Sequence, residues 1–159
     1  MDIKTKEILA LGVTGEKVHD NRMLKKLVNQ VLDSSSGSGS NEKQLNMMRR
    51  ISASADGAYD SNSNFRYLEK KGIKPGIKVR KNSIISSRNN RLRNREVKLQ
   101  SKDLLKWKTK RKYGHRWMSE TAFSTIKRMF GEYVCATKFN NMVKEMMIKV
   151  SLYNLFRRV

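Results

Sequence analysis

Residues 47–79, MMRRISASADGAYDSNSNFRYLEKKGIKPGIKV, alternate between strand-like and helix-like segments and decide the fold class. Residues 47–55 favour a strand that ends at Asp56, and the string FRYLEKKG favours a short helix closed by Gly72. Residues 73–79 favour a further strand. A strand, a helix and a strand in this order predict an α/β fold.

The segments before this stretch extend the same pattern. Residues 1–14, MDIKTKEILALGVT, favour a β-hairpin that turns at Lys4-Thr5-Lys6. Residues 19–33 predict a helix, because apolar residues recur there at the spacing of one helical face and Asp20 is a suitable N-cap. Residues 34–40, SSSGSGS, predict a flexible linker.

The segments after it are strongly basic and then helical. Residues 78–112 contain fourteen Lys or Arg and two acids with few apolar residues, which predicts an irregular basic loop over residues 80–112. Helices are predicted at residues 116–130 and 137–156, the second with an apolar stripe suited to core packing. The whole order, β-β-α-β-α-β-loop-α-α, predicts a mixed sheet with flanking helices.

The amino-acid composition limits the classes of function that fit this chain. The chain has 159 residues, with 35 Lys or Arg against 14 Asp or Glu and a net charge of +21, and such an excess favours a nucleic-acid partner. One cysteine, Cys135, and two histidines far apart exclude an internal disulfide and a Cys-rich zinc site. Residues 1–20 are not a signal peptide and no window is apolar enough to cross a membrane, so the expected location is cytoplasmic, with the nucleoid.

Four polar residues share one face of the predicted helix at residues 116–130. Tyr113, Arg116, Glu120 and Lys127 are separated by 3, 4 and 7 positions. At 100° per residue they fall within about 60° of each other. One interpretation is a solvated salt-bridge row with Arg116 and Glu120 as an i,i+4 pair. The other is a face that binds metal ions and phosphates.

Asp56 bears on that choice because it ends a predicted strand. Carboxylates at strand ends of an α/β sheet face the crevice where ligands bind, although an aspartate there also suits a plain turn. A strand-end Asp56 and a helical Glu120 beside cations would suit Mg²⁺ or Mn²⁺, which take carboxylate oxygens together with water or phosphate oxygens.

These residues resemble a known family. The string Y-x2-R-x3-E-x6-K, from Tyr113 to Lys127, resembles the signature around the last acid of bacterial and archaeal insertion-sequence DDE transposases of the type 4/type 5 group. The string ADGAYDS resembles the segment around their second catalytic Asp, and DIKTKEILALGVT, EKVHD and FGEYV…KFNNMVKEMMIKVSLYNLF also resemble members. The resemblance covers nearly the whole chain, apart from the SSSGSGS linker and part of the basic loop.

The resemblance implies an RNase H-like fold and a set of roles. Asp56 and Glu120 would be catalytic, metal-binding carboxylates, and Arg116, Lys127 and Tyr113 would contact DNA phosphates. The implied cofactor is Mg²⁺ or Mn²⁺ in a two-metal arrangement. The implied activity is DNA strand cleavage and strand transfer at insertion-sequence ends, with transposon ends and target DNA as partners.

The chain also departs from the family pattern. The family's central first strand carries the first catalytic Asp in a DST-like motif, whereas this sequence begins at the predicted hairpin. Asp2 is the alternative candidate for that acid, but only one clear strand follows it before Asp56 where the family pattern has two, so the start of the second strand is the favoured interpretation. Residues 1–159 are therefore expected to be a partial catalytic domain that lacks the central strand. Its activity is expected to be impaired by N-terminal truncation, with an upstream fragment or a homodimer partner completing it.

Two other functions fit the same composition. One is a noncatalytic basic DNA-binding remnant or regulator of transposition, which would bind DNA whether or not Asp56 and Glu120 are intact. The other is a general RNA-binding protein, which the lack of interleaved aromatics in the basic loop disfavours. For Trp117, core packing is favoured over stacking on an extruded base.

Overall fold

Helices dominate the computed structural model, which describes residues 1–15, 17–35, 52–85 and 90–158. In chain order the elements of these residues are α1 (Met23–Ser35), β1 (Ser52–Ala55), α2 (Asn62–Lys70), β2 (Lys74–Ile77), α3 (Arg91–Lys102), α4 (Leu104–Arg111), α5 (Trp117–Phe130) and α6 (Phe139–Arg158). Short 3₁₀ turns occupy Asp20–Arg22, Gly57–Tyr59 and Tyr113–Arg116.

The chain divides into two compact units. The central unit comprises Val18–His115, and the terminal unit comprises Met1–Lys17 together with Arg116–Val159. Each unit has its own cluster of buried apolar side chains. Assignment of residues 1–159 to one partial transposase domain stays a prediction.

The β1-α2-β2 segment of the central unit confirms the predicted strand, helix and strand. β1 and β2 pair in parallel, in register from Ser52 opposite Lys74 to Ala55 opposite Ile77. Gly72 closes α2 with a φ of +66°, which favours glycine. The core beneath the pair consists of Leu24, Phe65, Leu68, Ile73 and Ile77. The α/β class is confirmed, but the sheet over the described residues is one parallel pair and not the predicted mixed sheet.

The predicted irregular loop over residues 80–112 is wrong, since α3 and α4 occupy much of it. Asn90 caps α3 by accepting a hydrogen bond from the Arg93 N–H, and Asp103 caps α4 in the same way through the Lys106 N–H. The prediction weighed charge density, but a few apolar residues are enough to anchor an amphipathic helix, and here Val97 and Trp107 are buried.

A buried acid joins these two helices. Glu96 of α3 is fully buried, accepts a 2.7 Å hydrogen bond from the Trp107 indole of α4 and forms an ion pair with Arg111. A buried carboxylate requires such partners, because an unpaired charge in the interior is very costly.

The predicted hairpin at residues 1–14 is also wrong in part. The turn exists, with the Asp2 carboxylate accepting hydrogen bonds from the Lys4 and Thr5 N–H groups, but the described residues 1–15 form no strand. Instead, the peptide groups of Ile8 bind the Asn154 side chain, at 2.9 Å for the N–H and 3.0 Å for the carbonyl. Strand-forming residues without a neighbouring strand have no ladder to join.

Both helices predicted near the C-terminus are confirmed as α5 and α6 of the terminal unit. Their core consists of Ala122, Ile126, Val150 and Tyr153. The apolar stripe of α6 is therefore core only in part, since Met147 is half exposed. The Glu145 carboxylate accepts hydrogen bonds from the backbone N–H groups of residues 135 and 136, which ties the connection before α6 to this helix. No helix in the described part of the chain is long and apolar enough to cross a membrane.

Other sequence-based boundaries differ in detail. Residues 34 and 35 of the predicted linker end α1, and residues 36–40 lie outside the described residues, as do residues 47–51 of the predicted strand. Asp20 lies inside a 3₁₀ turn and is not the N-cap of α1.

Side-chain amides substitute for strand neighbours in both units. In the central unit, the Gln100 side chain accepts a 3.0 Å hydrogen bond from the Val79 N–H and donates one of 3.0 Å to the Ile77 carbonyl. Asn154 does the same for Ile8 in the terminal unit. Each amide satisfies one backbone donor and one acceptor, which a buried chain segment requires.

Replacing Gln100 with Met should therefore destabilise the central unit. Met keeps the side chain's length but leaves the Val79 N–H and the Ile77 carbonyl unpaired, at a cost of about 1–3 kcal/mol. Chemical denaturation measures the loss, and the exposed neighbour Ser101→Ala is the control, expected to change stability by less than about 0.5 kcal/mol. Equal stabilities for both variants would contradict this account of Gln100.

Candidate functional site

Asp56 lies directly after β1, as the sequence predicted. Its carboxylate accepts a 2.9 Å hydrogen bond from the Ala58 N–H, and its carbonyl accepts one from the Tyr59 N–H. It thereby caps the 3₁₀ turn Gly57–Tyr59. Asp56 therefore both follows the end of β1 and forms the turn, and its role as a ligand stays a prediction.

Asp60, a residue that sequence reasoning missed, closes the same turn. Its buried carboxylate binds the Arg93 guanidinium at 2.8 and 3.1 Å, the Ser83 hydroxyl at 2.7 Å and the Arg80 N–H at 3.1 Å. Arg80 in turn donates to the Gly57 carbonyl. The turn that carries Asp56 is thus attached to the segment after β2 and to α3. The sequence signal that could have identified Asp60 is its position four residues after Asp56, at the other end of a turn of small residues.

These contacts also set the ionisation of Asp60. Burial opposes the charged form and alone would raise the pKa. The hydrogen bonds from Arg93, Ser83 and Arg80, with the positive charge of Arg93, outweigh burial and lower the pKa of Asp60 below its ordinary value. Asp60 is therefore an ionised structural residue at neutral pH.

Glu120 occupies the first turn of α5 in the terminal unit. Its side chain is 59% exposed and lies 2.9 Å from the Arg116 guanidinium, in an i,i+4 pair. The salt-bridge interpretation of this face is therefore met at these two residues. A carboxylate at this end of a helix is also favoured by the helix dipole. An exposed ion pair is weak, so Glu120 can exchange Arg116 for another cation at low cost.

The other members of the predicted face separate into two groups. Lys127 is exposed in the last turn of α5, on the same helix as Glu120. Tyr113 belongs to the central unit, where its ring lies 5.1 Å from that of Trp107. Arg116, Glu120 and Lys127 belong to the terminal unit, and Asp56 and Tyr113 to the central unit. Neither unit by itself contains both carboxylates.

Trp117 contradicts the expectation that it packs into the core. It is 57% exposed, whereas Ala122 and Ile126 bury the opposite side of α5. Phe123 is also exposed. The helical pattern identified α5 but not which aromatics it buries, because the burying face is set by the contacts of α6 and the N-terminal segment.

Asp56 and Glu120 offer the type of ligand that a hard cation prefers, but the described residues do not gather three such ligands. Carboxylate oxygens are what Mg²⁺ and Mn²⁺ prefer. Over residues 1–15, 17–35, 52–85 and 90–158, however, no three His, Cys, Asp or Glu side chains come together as potential ligands.

The comparison with known families decides the identity of the chain. A family model described as a transposase DDE domain matches residues 1–155. The chain belongs to the DDE transposase family. No curated protein and no solved structure gives a significant match. The predicted membership is confirmed at the level of the family, and transposases of this family act on DNA and generally use divalent metal ions.

In this DDE transposase, Asp60 should govern acid stability. Because its folded-state pKa is lowered, its stabilising contribution is complete above the unfolded-state pKa of about 3.9 and is lost as pH falls through the folded-state pKa. Asp60→Asn removes this dependence and leaves Arg93 buried without its partner, at a cost of about 3–5 kcal/mol at pH 7.

Urea denaturation between about pH 2 and pH 7 tests this, with the exposed Asp33→Asn as the matched control. Asp60→Asn should lower the free energy of unfolding most at neutral pH and flatten its acid decline. An Asp60→Asn variant as stable as Asp33→Asn at pH 7 would show that the pair does not hold the unit together.

Proposed function

We propose that this DDE transposase cleaves DNA strands and transfers them at the ends of an insertion sequence, with Asp56 and Glu120 as its metal-binding catalytic carboxylates. The observation that carries the proposal is the family match over residues 1–155, which includes both acids. The proposal includes membership of the type 4/type 5 group, an RNase H-like fold and action at the nucleoid.

The position of Asp56 supports its catalytic role. It follows the carboxyl end of β1, which runs parallel to β2, and ligand sites of open α/β sheets form beyond such ends. The hydrogen bond from the Ala58 N–H to its carboxylate orients the side chain. Asp60 fixes the far end of the same turn, so the Asp56 backbone is preorganised.

The environment of Glu120 supports a role at a polyanion. Arg116 and Lys127 lie on the same helix as Glu120, and a phosphate can take over the Arg116 guanidinium while a divalent ion takes the carboxylate. We assign Arg116, Lys127 and Tyr113 to DNA phosphates. Mg²⁺ or Mn²⁺, when bound, supplies activation of water or a 3′-hydroxyl and stabilises the leaving oxygen.

A noncatalytic DNA-binding regulator is the second candidate. It is favoured by one observation, that the described residues bring no three potential ligands together. Each carboxylate also has a protein partner, the Ala58 N–H for Asp56 and Arg116 for Glu120. A regulator would bind DNA independently of both acids.

Metal binding separates the two candidates. Asp56→Asn and Glu120→Gln should each weaken Mn²⁺ binding at least tenfold in titration calorimetry, because each removes an anionic ligand of a hard cation. Exposed Asp33→Asn and Glu132→Gln are the matched controls and should leave it unchanged. Metal-dependent nicking of DNA that carries the terminal inverted repeats should be lost in the same two variants only.

Arg116→Gln distinguishes a broken ion pair from a lost ligand. It frees Glu120 from its partner but keeps the carboxylate, so Mn²⁺ binding should persist while DNA affinity falls. If all these variants bind Mn²⁺ like the original chain and keep their DNA affinity, the regulator is the correct function. Adding a companion polypeptide, and measuring the mass in solution, tests the upstream-fragment and homodimer partnerships in the same assay.

A further inference from the structure

The cations of α3 point in two directions. Arg93 points inward to Asp60, with its side chain 13% exposed. Four others are exposed along the helix, and we name them the α3 stripe: Arg91, Arg95, Lys98 and Lys102. The structure thus separates a structural cation from four that face solvent, a division that the charge count of this segment does not reveal.

The α3 stripe is straight. Its members are separated by 4, 3 and 4 positions, so at 100° per residue they fall within about 60° of each other. Val97 and Gln100, both buried, lie on the opposite side of the helix. At 1.5 Å per residue the stripe spans about 16 Å along the helix axis.

Only one member of the stripe approaches a carboxylate of its own helix. Glu96 is the one acid between residues 91 and 102, and it is fully buried against Trp107 and Arg111. The Arg95 guanidinium lies 3.7 Å from this carboxylate while its side chain stays 59% exposed. In the described part of the chain, Arg91, Lys98 and Lys102 form no ion pair.

We propose that the α3 stripe is a docking surface for the phosphate backbone of duplex DNA. The inference rests on the proposed function only in taking DNA as the partner. Like charges spaced by a helical turn repel each other, and a polyanion bound along them offsets that repulsion by its attraction to each cation. Duplex DNA carries about one charge per 1.7 Å of axis, so phosphates are available along the whole 16 Å stripe.

The side chains of α3 favour a duplex over a single strand. Residues 91–102, RLRNREVKLQSK, contain no aromatic residue on which an unpaired base could stack. Arginine and lysine contacts to phosphates position a protein on DNA without reading its sequence. The stripe should therefore bind duplexes of different sequence equally well.

The test is a salt titration of DNA binding. Arg91, Arg95, Lys98 and Lys102 are all replaced with Gln, which keeps high helix propensity and removes four charges. Fluorescence anisotropy with a labelled duplex of about 30 base pairs is measured in EDTA, so that no metal-dependent cleavage contributes. The slope of log affinity against log salt should fall by about three to four, at about 0.9 per phosphate contact, and affinity near 0.1 M salt should fall at least tenfold.

A matched control removes the same charge elsewhere in the central unit. Arg22, Lys26, Arg66 and Lys70 are exposed, and replacing all four with Gln should lower the slope by less than about one. Equal losses in the two quadruple variants would overturn the proposal, since DNA would then respond to overall charge. An unchanged slope in the stripe variant would overturn it too.

Two further measurements keep the result interpretable. Circular dichroism and thermal unfolding verify that α3 persists, and the milder pair Lys98→Gln with Lys102→Gln should give about half the slope change of the quadruple variant. Tighter stripe-dependent binding to duplex RNA of the same length would overturn the assignment to DNA. Because EDTA is present throughout, these outcomes are separate from the metal-binding outcomes for Asp56 and Glu120.

Discussion

The central unit depends on the buried carboxylate of Asp60. Its two oxygens receive hydrogen bonds from Arg93, Ser83 and Arg80, which come from α3 and from the segment after β2. A two-stranded sheet is marginal by itself, and packing against helices must stabilise it. Asp60 joins the turn at one end of that sheet to α3, which packs against α2, the helix that contacts β2.

A second buried acid, Glu96, joins α3 to α4 in the same way, by binding partners on the neighbouring helix. Glu96 binds the Trp107 indole and Arg111, and the Trp107 ring contacts Tyr113. Desolvation offsets much of the attraction within such buried pairs, but removing one partner is costly because it leaves a buried charge uncompensated. In a chain with a charge of +21, Asp60 and Glu96 pair with Arg93 and Arg111, two arginines whose side chains are mostly buried.

The sequence predicted the elements that have a strong hydrophobic periodicity or a residue such as glycine that marks their end. The β1-α2-β2 order follows from alternating segments and Gly72, and α5 and α6 follow from helical spacing. It did not predict α3 and α4, because their high charge density concealed the caps Asn90 and Asp103 and the apolar anchors Val97 and Trp107. The positions of Asp56 after a strand and of Glu120 on a helix were predictable locally. The exposure of Trp117 was not, because it depends on which side of α5 meets α6.

Because of the exposed cations of α3, ionic strength has opposite effects on the stability of the folded chain and on its affinity for a polyanion. Four like charges on one helical face oppose folding by mutual repulsion, and a net charge of +21 adds to this over the whole molecule. Added salt screens both, so it strengthens the folded chain in isolation while it weakens any hold on a polyanion. The folded chain is thus least stable by itself at low ionic strength. A bound polyanion acts on α3 as a very concentrated local counterion.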